Sequence, residues 1–287
     1  MSTQPTGAVN HASRYLSPAS EARTALLLID IQRGLNTRNG YFGTERSTPN
    51  FEENVSAILA ACREYNETNT TGSLGSVTGD TISKNTAESG GQNALSDPNA
   101  TNHPSKPRPR AIEIIHVYHK SRNPLSPLHV SGTTHKDGIM FMPCAEPAAA
   151  AAVANEYVLS KSTNTAFGNP ELKTILEHGH IEQLVVVGIA TDHCVTTSVR
   201  WAKDLGVVRG VEADASCGYS GTQTEQEEGE GEEKPEDGKI VILSDATACF
   251  NKGGFDAETV HKVHLASLEG EFAKVMTTGD VLDQLFG

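Results

Sequence analysis

Apolar residues in this chain fall into two kinds of run. The first kind is short and unbroken: Thr24–Ile29 (TALLLI), Ala111–Tyr118 (AIEIIHVY), Tyr157–Leu159, Leu184–Val187 (LVVV) and Lys239–Leu243 (KIVIL). Such runs suit strands that are buried on both faces of a sheet. The second kind is spaced for a helix. Val55, Ile58, Leu59 and Cys62 share one face of a segment from Phe51 to about Tyr65. Val195, Val199 and Ala202 do the same up to Leu205, and Val260, Val263, Leu265 and Leu268 between Asp256 and about Leu268. Punctuation agrees with these limits. Asn50 with Glu53 reads as a capping box, Asn169 caps a helix opened by Pro170 and running to about Glu177, and Gly206 stops the one before it. The tail GEFAKVMTTGDVLDQLFG reads as a short strand and a short helix. Strands alternating with helices predict an α/β fold with a mostly parallel sheet.

Two stretches interrupt the alternation. Asn66–Arg110 is rich in Ser, Thr, Asn, Gly and Pro, and Arg209–Gly238 carries a block of glutamates. Neither has the apolar content to build a core, so both are expected to be disordered insertions, at about 66–110 and 209–238. Each lies between a helix and the next strand, at the sheet edge away from the chemistry. Residues 1–22 read as a flexible tail and 23–287 as one domain. The 287 residues carry a formal net charge of −13, which argues against a nucleic-acid partner. Gly221–Gly238 alone holds eight acidic residues and one lysine, so the global charge says little about the site. Five cysteines, an odd number with no regular spacing, fit free thiols and a reducing, cytoplasmic setting. No apolar run is long enough for a membrane span, and the N-terminus has no apolar signal core.

Candidate chemistry gathers where the predicted strands end. Cys194 lies between the Leu184–Val187 strand and a helix, where backbone N–H groups and the helix dipole favour a thiolate and can hold an oxyanion. Asp30 ends the first strand and Lys161 follows Tyr157–Leu159. Taken singly, these residues also fit a buried structural cysteine, a turn-forming aspartate and a solvated lysine. Together they occupy one edge of an open sheet, where ligands bind.

The segments Leu26–Ile-Asp30-x-Gln32, Lys161-Ser-Thr-Asn164-x-Ala-Phe167 and Gly188-Ile-Ala-Thr191-x-x-Cys194-Val195 resemble the isochorismatase-like cysteine hydrolases, a family that includes nicotinamidases, carbamoylsarcosine amidase and ureido amidohydrolases. The resemblance implies a doubly wound three-layer α/β sandwich and an Asp30–Lys161–Cys194 triad. It also implies a cis peptide at Ile189–Ala190, an oxyanion hole made by the N–H groups of Ala190 and Cys194, and a homo-oligomer. The expected activity is cleavage of a C–N bond in a small amide or ureide through a thioester. Cys194 would be the nucleophile, Asp30 the general base, and Lys161 the cation that lowers the thiol pKa well below about 8.5. Gln32, Tyr41, Phe42, His129, Phe167 and Thr191 are candidate substrate contacts. His116, His119, His129 and His135 invite a metal reading, but the Asp-x-His of nicotinamidases is missing. No metal or other cofactor is therefore expected. Two rival readings remain: a hydrolase acting on a vinyl ether, in which the cysteine is typically replaced, and a non-catalytic scaffold, in which the triad would be broken.

Overall fold

A computed structural model describes residues 14–35, 42–71, 110–131, 137–149, 155–210 and 238–287. Tyr41, His135, Cys217, residues 1–13 of the expected tail and most of both expected insertions lie outside the described residues. The order along the chain is β1 (Thr24–Ile29), α1 (Phe51–Thr71), β2 (Glu113–His119), β3 (Glu156–Lys161), α2 (Pro170–His178), β4 (Gln183–Ile189), α3 (Thr196–Asp204), β5 (Lys239–Ala248), α4 (Ala257–Ala266), β6 (Lys274–Met276) and α5 (Thr278–Phe286). The six strands are all parallel, in the order β3-β2-β1-β4-β5-β6. This is the doubly wound arrangement, and its direction reverses between β1 and β4.

The period-2 alternation of the strands splits the core into two layers. Leu26 and Leu28 of β1 and Val185, Val187 and Ile189 of β4 pack on Phe51, Val55, Ile58, Leu59 and Cys62 of α1 and on Val281 and Leu285 of α5. Ala25, Leu27 and Ile29, with Leu184 and Val186, pack on the other face against Leu172 and Leu176 of α2, Val199 and Ala202 of α3, and Leu265. Unbroken apolar runs are thus what two covered faces require.

The structure extends or corrects several expectations. α1 runs on to Thr71 rather than stopping near Tyr65. The reason is Asn66, which is buried and clasps the backbone of Ile112, giving a hydrogen bond to its carbonyl (2.8 Å) and taking one from its N–H (2.7 Å). β5 continues through Ser244–Thr247 to Ala248. Val263 of α4, expected to pack, is exposed. The α4 face that is buried carries Ala257, His261 and Leu265 instead.

Gly188 brings β1 and β4 together at their C-terminal ends. It pairs with Ile29 at φ +143°, and β4 is irregular against β5 between Val186 and Gly188. A Cβ on Gly188 would lie 2.2 Å from the Ile29 carbonyl oxygen. A side chain there meets both a forbidden backbone region and a rigid neighbour.

A second tie joins α1 to the sheet edge. Glu156 of β3 accepts hydrogen bonds from Arg63 Nη2 (2.6 Å) and Nε (3.1 Å) and from the Ala148 N–H (2.8 Å). His116 Nε2 of β2 lies 2.9 Å from the same carboxylate. His116 is therefore occupied within the fold, which accounts for one of the histidines that invited a metal reading. Burial works to raise the Glu156 carboxyl, but the partners outweigh it and hold the group at about 2, below its ordinary 4.5.

Two tests follow from these contacts. Gly188→Ala should lower unfolding stability in urea by about 3 kcal/mol or more. Because the folded Glu156 pKa is depressed, its contribution to stability is present above pH 4.5 and is lost as pH falls toward about 2. Acid unfolding of Glu156→Gln should therefore lose part of the pH dependence that the parent shows in that window.

Candidate active site

Three strand ends build the site. Asp30 directly follows β1. Its φ of +52° is a left-handed conformation that aspartate tolerates better than most residues. Its N–H donates to the Val117 carbonyl of β2 (2.8 Å), and its own carbonyl accepts from the Gln32 N–H (2.8 Å). Lys161 is the last residue of β3 and pairs in register with His119, the last residue of β2. Cys194 sits in the wide turn Thr191–Val195 between β4 and α3. The Ile189–Ala190 peptide before that turn is cis. The Ala190 carbonyl accepts from the N–H groups of His193 (2.9 Å) and Val195 (3.2 Å), bypassing the Cys194 N–H between them.

The side chains converge. Lys161 Nζ, fully buried, lies 2.6 Å from Asp30 Oδ2 and 3.3 Å from Cys194 Sγ. It also donates to the Thr163 carbonyl (3.0 Å) and meets His119 Nδ1 at 3.3 Å. Parallel strands lie about 4.8 Å apart, so Lys161 reaches over β2 to touch a group on β1. It can do so because Lys161, like Leu159, is on the sheet face that α3 covers.

The thiol behaves differently from the expectation. Burial pushes the Cys194 pKa up, and the Asp30 carboxylate pushes it further, against the lowering pull of Lys161. The expected low-pKa thiolate is thus corrected to a neutral thiol at rest. At 2.6 Å Asp30 neutralises most of the field that Lys161 would otherwise exert on the sulfur. His119 is pushed down by burial and by Lys161, with Asp30 and the Thr163 carbonyl opposing, and it is neutral at pH 7.

The expected substrate contacts vary in position. Gln32 is fully buried, and its amide is taken up by backbone. Oε1 accepts from the His119 N–H (2.9 Å), while Nε2 donates to the carbonyls of His119 (3.1 Å) and Ile139 (2.9 Å). Its polar atoms therefore clamp the end of β2. Thr191 is also fully buried and meets His261 Nδ1 of α4 at 2.9 Å. His261 Nε2 is 2.8 Å from the Ser244 carbonyl and must donate to it. Nδ1 is then the acceptor and Thr191 the donor, so this pair anchors the turn that carries Cys194. Phe167 packs in the core beside α3, and Phe42 stacks on Phe250 (6.3 Å between centroids). His129 is half-exposed, 2.6 Å from Ser131 Oγ. Arg122, another residue of this loop, donates to Ser162 Oγ (3.0 Å). Sequence reasoning missed His119 as a neighbour of the triad, and it missed Asp192. The buried Asp192 carboxylate forms an ion pair with Lys252 in the loop after β5 and so ties the Thr191–Val195 turn to that loop. The register of β2 against β3, hidden in the sequence, was the only signal for His119.

Asp30, His119 and Cys194 offer an oxygen, a nitrogen and a sulfur within 4.8 Å of one another, a donor set of the kind thiophilic divalent metals take. The position between them is already held by a cation: Lys161 Nζ lies within hydrogen-bond range of all three atoms. The residues present therefore fit an ammonium better than an added metal ion. Among the described residues, no helix is long and apolar enough to cross a membrane.

Comparison with known proteins accords with this architecture. Residues 105–229 match the family model described as the isochorismatase domain. The chain is 23% identical over 268 residues to YrdC of Bacillus subtilis (strain 168), an uncharacterized isochorismatase family protein, covering 92% of this chain and 96% of the relative. An isochorismatase-family structure from Chromobacterium violaceum ATCC 12472 superposes with a TM-score of 0.59 at 22% identity, over 94% of this chain and 96% of that one. A structure called a cysteine hydrolase, from Pseudomonas syringae pv. phaseolicola 1448A, does so with a TM-score of 0.53 at 16% identity, over 91% and 92%. The all-parallel doubly wound sheet is thus the fold of isochorismatase-family structures, and the stretch that carries Lys161 and Cys194 is similar in sequence to the isochorismatase domain.

Proposed function

We propose that the protein is a cysteine hydrolase that cleaves a C–N bond of a small amide or ureide through a thioester on Cys194. The observation that carries this reading is the buried Lys161 ammonium bridging the Asp30 carboxylate and the Cys194 sulfur. A scaffold has no need to bury that arrangement, and a vinyl-ether hydrolase has no need of the sulfur.

The resting thiol keeps its proton, so attack and deprotonation must be coupled. As Cys194 Sγ forms a bond to the substrate carbonyl carbon, the thiol proton passes to Asp30, which acts as general base. Lys161 then faces a carboxyl group that has lost its charge, and its field falls on the sulfur and the developing intermediate. The carbonyl oxygen becomes an oxyanion, which the N–H groups of Ala190 and Cys194 would receive; losing one such donor costs about 3 kcal/mol. Asp30 returns the proton to the nitrogen as the C–N bond breaks and ammonia or an amine leaves. It then takes a proton from water, which attacks the thioester, and passes that proton to the Cys194 sulfur as the C–S bond breaks, restoring the thiol and the carboxylate. Half-exposed His129 and Phe42 are the candidates that shape the substrate end of the site.

Ammonia release across a panel of primary amides, ureides and nicotinamide tests the reading. Turnover of at least one of them is expected, with Cys194→Ala and Lys161→Ala inactive yet folded by circular dichroism. Full activity in Cys194→Ala would end the proposal. Asp30→Asn should separate two properties. Turnover should fall by about 100-fold or more. Iodoacetamide should alkylate Cys194 faster at neutral pH, because the charge that raises the thiol is gone while Lys161 remains. Mass spectrometry of the Cys194 peptide against pH reads the second effect.

A further inference from the structure

Lys161 is surrounded by more acceptors than it has protons. An ammonium carries three N–H groups. Four acceptors lie within reach: Asp30 Oδ2 at 2.6 Å, the Thr163 carbonyl at 3.0 Å, and His119 Nδ1 and Cys194 Sγ, both at 3.3 Å. The two short contacts take two protons. The third is contested between an imidazole nitrogen and a sulfur at equal distance. A neutral thiol is the weaker acceptor of the two, and a thiolate is the stronger.

We propose that His119 is a positioning residue: its Nδ1 holds the third Lys161 proton while Cys194 is a thiol and releases it to the sulfur as negative charge develops there. This rests on the reading of Cys194 as nucleophile and adds a fourth residue to the arrangement around it. Lys161 can only donate, so Nδ1 must be unprotonated and the ring proton sits on Nε2. The groups facing the ring are Lys161 from β3, Asp30 from the end of β1, Cys194 from the turn after β4, and the Thr163 carbonyl. Burial and Lys161 favour the neutral imidazole and outweigh Asp30 and the Thr163 carbonyl, which oppose it; neutrality leaves one ring nitrogen free to accept, and the 3.3 Å contact to the ammonium selects Nδ1. The ring is also held in place. Gln32 grips the backbone of His119 at both its N–H and its carbonyl, so the side chain projects from a fixed point whichever residue stands there.

The hand-over distinguishes an acceptor from a space-filling residue. Asparagine sets an amide oxygen near the place of Nδ1, and leucine sets none. His119→Asn should keep kcat within about threefold of the parent, whereas His119→Leu should lose about tenfold or more in kcat with KM little changed. Alkylation of Cys194 should move the other way. In His119→Leu the third N–H rests on the sulfur throughout, so iodoacetamide should react several times faster at pH 7.5 than in the parent or in His119→Asn. In the unmodified protein, ¹⁵N spectra of the histidines should show the His119 signal, identified by its loss in His119→Asn, with Nδ1 unprotonated near pH 7.5. The inference is overturned if Nδ1 carries the proton, if leucine leaves both kcat and alkylation unchanged, or if asparagine fares as badly as leucine. The alkylation and NMR measurements need no substrate. They decide the role of His119 even if no amide is turned over, an outcome that would count against the hydrolytic reading instead.

Discussion

A lysine and an aspartate paired inside the protein constrain everything else at this site. Lys161 and Asp30 are both removed from water and meet at 2.6 Å. Removing two charges from water costs several kcal/mol each, and the pair recovers that only when the geometry is good and the remaining protons are satisfied. The surroundings meet that condition for the ammonium, while Asp30 Oδ1 is buried without a hydrogen bond. The Thr163 carbonyl, His119 and Cys194 complete the shell of the ammonium, and the Asp30 backbone is fixed at its N–H by Val117 and at its carbonyl by Gln32. Either residue alone would be an uncompensated buried charge.

The sheet makes this pairing possible. The partners come from strands that are not neighbours, and the third group comes from a turn on the other side of β1. Only where winding reverses, between β1 and β4, does the sheet edge open a crevice that all three can enter. Gly188 closes the approach of those two strands just before the turn that carries Cys194, and Thr191 with His261 and Asp192 with Lys252 fasten that turn to α4 and to the loop after β5. This edge of the sheet is therefore braced by polar side chains, of which Thr191, His261 and the Asp192 carboxylate are buried and Lys252 is exposed.

The same pairing sets the chemistry of the sulfur. A lysine next to a cysteine usually suggests an activated thiolate. Here the lysine is already matched by a carboxylate, and the buried sulfur faces nearly balanced charges, so the thiol keeps its proton. In the proposed reaction, protonation of Asp30 unmasks the Lys161 charge at the moment the sulfur needs it.

Much of this was legible in the sequence. The unbroken runs at 24–29 and 184–187 identify strands covered on both faces, and the spacing of Val55, Ile58, Leu59 and Cys62 identifies the helix that covers one of them, because burial dictates period and length locally. Asp30, Lys161 and Cys194 could be singled out because each closes such a strand or opens the helix after one. The sequence could not give what depends on distance between remote segments. Asn66 reads as the start of a polar stretch until Ile112 lies beside it. Gln32 and Thr191 read as substrate contacts until His119 and His261 take up their polar atoms. His119 reads as one histidine among several until register sets it against Lys161. Pattern records which way a side chain faces relative to its own element. Which groups share a few ångströms, and so which charges cancel and which protons are contested, is decided only when the strands are ordered side by side.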